Sequence, residues 1–341
     1  MEKTSLNNVK VSVCISVHNT AKYLPRCLDS VCAQTLQSLE IVLVNNGSTD
    51  NSENIMYEYE NKHPERKFVI ISQEDRSLAG GRQTGINHAS GEYLTFLDAD
   101  DLVAPEAYEK MLACAERENV DIVEIQTLRD GVVMSSSLTG LHDTNEVLKR
   151  YFTKGDILSM LWLRLYKHSL FNKPVLPTIY TNNEDNFAFP CLLYSSRSIY
   201  FLNEPLHTYS TDNESGVMHS ESNNPKLAER RFQSKTKTLL SIPHFCNYVG
   251  DIKRSGFYNE LNYYKANRIF NFLLLDFKGK TMRDKEKAVK ESFSFNSLSE
   301  IHQFLKEWLP DGKRNIYSVY KLLGIYVAFL LIKIKNKKQK T

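Results

Sequence analysis

No two of the six cysteines, Cys14, Cys27, Cys32, Cys114, Cys191 and Cys246, form a C-x-x-C pair. That spacing speaks against a structural zinc site or a dithiol redox motif. Most of the six lie in apolar stretches, so buried free thiols of a reducing compartment are expected. Charge of one sign is also missing: 43 basic against 40 acidic residues leave a net charge of +3. With no domain-wide basic stripe, no nucleic-acid partner is expected. The opening residues, Met1-Glu2-Lys3-Thr4-Ser5, hold no apolar stretch, so no secretory signal is read there and a cytoplasmic location is expected. Internal repeats and low-complexity segments are absent as well. What the chain does have is size: 341 residues, 42% of them hydrophobic, enough for one large or two ordinary domains.

The first half alternates two hydrophobic periods. Val11–Val17, Leu39–Val44, Phe68–Ile71, Tyr93–Leu97 and Ile122–Thr127 are short apolar runs and predict strands. Between them, Tyr23–Thr35, Ser48–Lys62, Leu78–His88 and Pro105–Glu118 predict helices, the first with Pro25 in its opening turn. Nearly unbroken apolar strands alternating with helices imply a mostly parallel sheet covered on both faces, an α/β architecture. Ligands of such sheets sit beyond the carboxyl ends of the strands. After about residue 215 the alternation stops, and residues 225–310 read as amphipathic helices. The aromatic clusters there, Tyr263-Tyr264 and Phe270–Phe272, are expected to pack helices together.

Four stretches carry chemistry. Tyr93–Leu97 runs directly into Asp98-Ala99-Asp100-Asp101. Clustered carboxylates repel unless a cation neutralises them, and hard oxygen donors suit Mg²⁺ or Mn²⁺ bound jointly with substrate phosphates. If the strand continues, alternation places Asp98 and Asp100 on one side; an Asp-rich turn capping the next helix through Asp101 is the structural alternative. Asn45-Asn46-Gly47-Ser48-Thr49-Asp50 follows the second strand, where an Asn amide offers both edges to a nucleobase, and Ser48 or Thr49 can cap a helix. A simple turn accounts for it equally well. Leu78–Ile86 is rich in small residues that permit close backbone approach, and Arg82 within it offers a fork of donors for a diphosphate. Glu184-Asp185 heads another expected helix, where a carboxylate can deprotonate a hydroxyl or simply complement the helix dipole.

Together these motifs resemble the inverting glycosyltransferases of family 2, with the GT-A fold. The resemblance covers residues 10–215 and begins with Val11–Asn19 and Tyr23-Leu24-Pro25-Arg26-Cys27-Leu28-Asp29-Ser30-Val31-Cys32-Ala33-Gln34-Thr35. The Asn-Asn-Gly-Ser-Thr-Asp turn, Ala79–Gly85, Gly91-Glu92-Tyr93, the acidic cluster, Trp162-Leu163-Arg164-Leu165-Tyr166-Lys167 and Glu184-Asp185 follow in family order. Two positions depart: Asn46 stands where the family usually has Asp contacting the donor base, and Gln83 where it usually has Asn.

The resemblance implies a GT-A domain over residues 9–215 (Rossmann-like, mostly parallel sheet), and the pattern of the chain beyond it predicts a helical region over 216–315 and a terminal segment over 316–341. It implies metal-dependent, inverting, non-processive transfer of one sugar from a nucleotide-sugar donor, a UDP-sugar by expectation, to a glycan or lipid-linked acceptor. The Gln-x-x-Arg-Trp motif of processive relatives is absent. By the same resemblance Asp100 and Asp98 hold Mn²⁺ or Mg²⁺, with Asp98 also facing the ribose. Asn19, Asn46, Asp50 and Arg82 hold the nucleotide end, and Asp185, with Glu184 second, is the base. His207 or His219 is a further candidate metal ligand, a core or surface histidine being the commoner outcome. A sugar nucleotidyltransferase and a non-catalytic sugar-nucleotide-binding protein are the competing classes. At the end, Leu322–Ile332 is apolar apart from Gly324 and flanked by lysines. It is short of the ~20 residues that span a bilayer, so a peripheral anchor on the inner face of the cell membrane is expected, a core helix with a basic tail or a true span being the alternatives.

Overall fold

The computed structural model describes residues 8–213, 225–275, 280–310 and 313. Two compact units divide the chain, Met1–His219 and Ser220–Thr341. The first is an α/β unit. Its elements run β1 (Val11–Val17), α1 (Leu24–Cys32), β2 (Leu39–Asn46), α2 (Ser52–Lys62), β3 (Lys67–Gln73), α3 (Ser77–His88), β4 (Tyr93–Asp98), β5 (Leu102–Val103), α4 (Ala107–Glu118) and β6 (Ile122–Arg129). They continue with β7 (Val132–Met134), β8 (Gly140–Asp143), α5 (Thr144–Thr153), β9 (Arg164–Lys167), α6 (Asp185–Ser195) and β10 (Ser198–Tyr209).

One sheet takes all ten of these strands in the order β3-β2-β1-β4-β9-β6-β10-β5, with β7 on β6 and β8 on β10. β3, β2, β1 and β4 are parallel, as the βα alternation requires. β9 then runs antiparallel between β4 and β6, and β10 returns parallel to β6. β1 is apolar almost without a break because it is flanked by β2 and β4 and covered on both faces. In register, Val17 lies beside Asn45, Asn46 beside Gln73, and Ser16 beside Asp98. The carboxyl ends of four parallel strands therefore deliver their loops to one edge.

Helix α1 buries Leu24, Cys27, Leu28 and Val31, an i, i+3, i+4, i+7 stripe. Each of its Leu and Val side chains contributes about 1.5–3 kcal/mol on burial. It ends before the expected Thr35 because the chain leaves to pair elsewhere. Gln34 Nε2 donates to the Ala104 carbonyl at 2.7 Å, and the Thr35 amide donates to Pro105. Helix α2 starts at Ser52, not Ser48. Ser48 Oγ instead accepts from the Asn19 amide at 3.1 Å, and the Ser52 amide is taken by Asp50 Oδ1 at 3.0 Å. Neither Ser48 nor Thr49 caps the helix.

The glycines of Leu78–Ile86 sit inside α3, where they let the helix press on β1. A Cβ on Gly81 would fall 2.1 Å from Ser16 Oγ, and one on Gly85 3.0 Å from Cys14 Cβ. All six cysteines are free, five of them buried.

The second unit contains α7 (Pro225–Leu239), α8 (Ser241–Val249), α9 (Tyr258–Leu274), α10 (Met282–Phe293) and α11 (Leu298–Trp308). Ile269, Phe270, Phe272, Leu273, Val289, Ile301 and Leu305 form its apolar core, so two of the clustered aromatics pack helices. Among the described residues no helix is long and apolar enough to cross a membrane. Leu322–Ile332 and His219 lie outside the described residues.

Candidate active site

Arg82 organises the site. It projects from α3 and is 3% exposed. Nη2 donates to Asp98 Oδ1 at 2.7 Å, and Nη1 donates to Asp185 Oδ1 at 2.9 Å and to Glu184 Oε1. One guanidinium thus joins the end of β4 to the head of α6. Burial works against its charge, but Glu184, Asp98 and Asp185 outweigh that and raise its pKa. In this arrangement Arg82 faces carboxylates, where the sequence alone pointed it at a diphosphate.

The two acids at the head of α6 differ in access. Glu184 is 1% exposed, whereas the Asp185 side chain keeps 21%. Burial raises the pKa of both against the lowering effect of Arg82. Asp185 Oδ1 also accepts the Leu161 amide at 3.3 Å. A carboxylate that is partly exposed, held in place and shifted toward neutrality has the properties of a general base.

The acidic cluster does not continue the strand. β4 ends at Asp98, and the Asp101 amide turns back to the Asp98 carbonyl at 3.0 Å. The three carboxylates therefore diverge instead of alternating. Asp98 goes to Arg82; Asp100 Oδ2 accepts from Asn213 Nδ2 at 2.6 Å; Asp101 Oδ1 accepts the Ser210 amide at 2.7 Å. Asp101 does not cap the following helix, which begins at Ala107. Burial, helped by Asp98 and Asp101 and opposed by the Asn213 bond, pushes Asp100 up to about 6. The strap that follows β10 is fixed in turn by Arg26, which grips Asp212 through both carboxylate oxygens at 2.7 Å.

His207 is a core residue. Its Nδ1 lies 2.8 Å from Thr127 Oγ1, and its ring stacks on Trp162 with centroids 4.2 Å apart. Burial pushes its pKa down to about 3. Among the described residues no three His, Cys, Asp or Glu side chains converge as a metal cage.

At the nucleotide end, Asn46 is buried and its amide is fully engaged. Oδ1 accepts from Gln73 Nε2 at 2.7 Å and the Arg76 amide at 3.2 Å; Nδ2 donates to the Ser77 carbonyl at 3.0 Å and Asp75 Oδ1 at 3.3 Å. Asn19 is exposed with φ 52°, and its Oδ1 accepts the Thr49 amide at 2.7 Å. Asp50 Oδ2 accepts the Ala21 amide at 2.9 Å, joining the loops after β1 and β2. Sequence reasoning missed Asp75, although it follows the end of β3, where a strand-end rule would have directed attention. It also missed Asn213 and the Arg26–Asp212 pair, for which no local signal exists.

The mixed ten-stranded sheet flanked by helices is a fold of the GT-A type. Residues 12–172 match the model of glycosyl transferase family 2, so the first unit carries a domain of that family. EpsH of Bacillus subtilis (strain 168) is 26% identical over 93% of this chain and 83% of its own length. Glycosyltransferase GlyA of Streptococcus pneumoniae serotype 4 is 28% identical over 59% of this chain, but only 30% of that protein. Among solved structures, S. aureus TarS 1–349 in complex with UDP-GlcNAc aligns over 97% of this chain and 92% of its own, with a TM-score of 0.66 at 17% identity, a likeness of fold.

Proposed function

We propose that the chain moves one sugar from a nucleotide-sugar donor, a UDP-sugar, to a hydroxyl of a glycan or lipid-linked acceptor with inversion. The observation that carries this reading is the Arg82 bridge, which puts the strand-end carboxylate Asp98 and the candidate base Asp185 on one guanidinium. TarS was solved with UDP-GlcNAc, and a mannosyltransferase from Pyrobaculum calidifontis, with a TM-score of 0.51, with GDP-Man and Mn²⁺. Both support a nucleotide-sugar donor.

Asp185 takes the acceptor proton, being the accessible member of its pair; Glu184 anchors Arg82. Asn19 and Asp50 shape the pocket for the nucleotide, and Asn46 fixes the floor of that loop. The donor set fits a divalent cation completed by substrate. Asp100 and Asp98 offer hard oxygens, no protein cage surrounds them among the described residues, and Mg²⁺ is commonly held by one or two carboxylates plus phosphates. When bound, Mn²⁺ or Mg²⁺ would neutralise charge on the departing diphosphate. The apolar, lysine-flanked segment Leu322–Ile332 would hold the enzyme at an anionic membrane surface, near a lipid-linked acceptor. A donor screen by NMR, with UDP- and GDP-sugars and Mn²⁺, tests the reading. Selective broadening by a UDP-sugar supports it, and absence of binding by any nucleotide sugar refutes it.

A further inference from the structure

Arg164 is a second buried arginine, linked to Asp185 only through other residues. Arg164 opens β9 and is fully buried. Its Nη2 donates to Glu124 of β6 and to the Leu158 carbonyl, and its Nη1 donates to the Met160 carbonyl at 2.7 Å. The guanidinium carbon lies over the Phe189 ring, 3.9 Å from its centroid. These contacts reach Asp185 by two routes. Leu158 and Met160 belong to the segment whose next amide, Leu161, donates to Asp185 Oδ1 at 3.3 Å. Phe189 lies on α6 one turn beyond Asp185, the first residue of that helix. Ser136 Oγ accepts the Leu158 amide at 3.0 Å and pins the same segment from the other side.

Taking an ion pair out of water costs several kcal/mol per ion, and apolar residues of similar volume often serve stability as well or better. The Arg164–Glu124 pair is therefore poorly explained by stability alone. Its fork holds two carbonyls two residues apart while its carbon sits over a ring, a set of contacts that the single ammonium of a lysine does not reproduce. We propose that Arg164 is a positioning residue for the transfer step. It fixes the Leu161 amide and the first turn of α6 together, and so sets where the Asp185 carboxylate stands. This rests on Asp185 being the base.

The test compares kcat and donor KM in the full chain carrying Glu124→Leu with Arg164→Met, a change that removes both charges at once. Thermal melting first establishes that the variant is folded. The expected result is a kcat at least tenfold lower with donor KM within about twofold of the parent. In an Asp185→Asn background the same pair of changes should lower kcat by less than twofold, because residues acting as one unit are not additive. Arg164→Lys in the otherwise native chain is the second variant, keeping charge beside Glu124 and losing the fork. It should show the same split, so the proposal stays testable if the double change does not fold. An unchanged kcat in a folded variant, or an equal loss in both backgrounds, overturns the positioning role. If Asp185→Asn alone leaves kcat intact, it is the assignment of the base that fails.

Discussion

Arg82 Nη1 stands 2.9 Å from Asp185 Oδ1, although 103 positions separate the two residues. The same guanidinium holds Glu184 and Asp98, so the acids assigned to the donor and acceptor sides share one buried cation. Arg82→Ala would leave Glu184 as an unpaired buried charge. Breaking a buried pair this way costs about 3–5 kcal/mol. Arg82→Lys, which cannot present two donors in a fixed plane, is expected to keep more stability but lose transfer at least tenfold. Melting temperatures and kcat of both variants check this; a fully active lysine variant contradicts the clamp.

The close seat of α3 on β1 leaves no room for a side chain at Gly81 while Ser16 keeps its position. A methyl group there meets Ser16 Oγ at 2.1 Å and Ser16 Cβ at 3.0 Å. Gly81→Ala should destabilise by about 1–3 kcal/mol through overpacking, despite the better helix propensity of Ala. Combining it with Ser16→Gly should recover most of the loss. Denaturant titration of the single and double variants measures both, and no recovery would mean the clash lies elsewhere.

Glu40 provides a pH signature of the fold. It is buried near the start of β2. Its carboxylate accepts from Ser12 Oγ at 2.7 Å and the Ser90 amide at 2.8 Å, and pairs with Lys67 at 2.6 Å. Burial alone would raise its pKa, but the bonds from Lys67, Ser12 and Ser90 outweigh it and bring the value below the usual one. A depressed carboxylate pKa contributes stability above the unfolded-state value of about 4.3 and loses it as pH falls through the folded value. Glu40→Gln should thus cost about 1.5–3 kcal/mol at pH 7, as for bonds to a charged group. The gap between variant and parent should close on acidification below about pH 4. A gap constant with pH would show that the charge of Glu40 contributes nothing.

Local signals made much of the first unit legible. Val11–Val17 is both the predicted and the observed first strand, because a largely apolar run followed by a helical stripe suits a strand covered on both faces. Asp98, Asp185 and Arg82 were found as separate motifs, but their meeting was not, since sequence spacing carries no information about a contact made across 103 positions. Where the sequence misled, a long-range partner had taken the group. Ser48 binds Asn19 instead of capping α2, and the turn at Asp98–Asp101 breaks the alternation a continued strand would have kept. Arg164 carried no sign of its role beyond belonging to a family motif, because its partners Glu124 and Phe189 come from elements far apart in the chain.

The account turns on Asp185 as the base, and one variant tests it most directly. Asp185→Asn keeps the volume and removes the proton acceptor. Donor binding, followed by UDP titration, should stay within about twofold of the parent. Single-turnover transfer should fall by about 10²-fold or more, the contribution expected of a general base. A folded Asp185→Asn enzyme that transfers sugar at the parental rate, with Glu184→Gln inactive instead, would contradict the account.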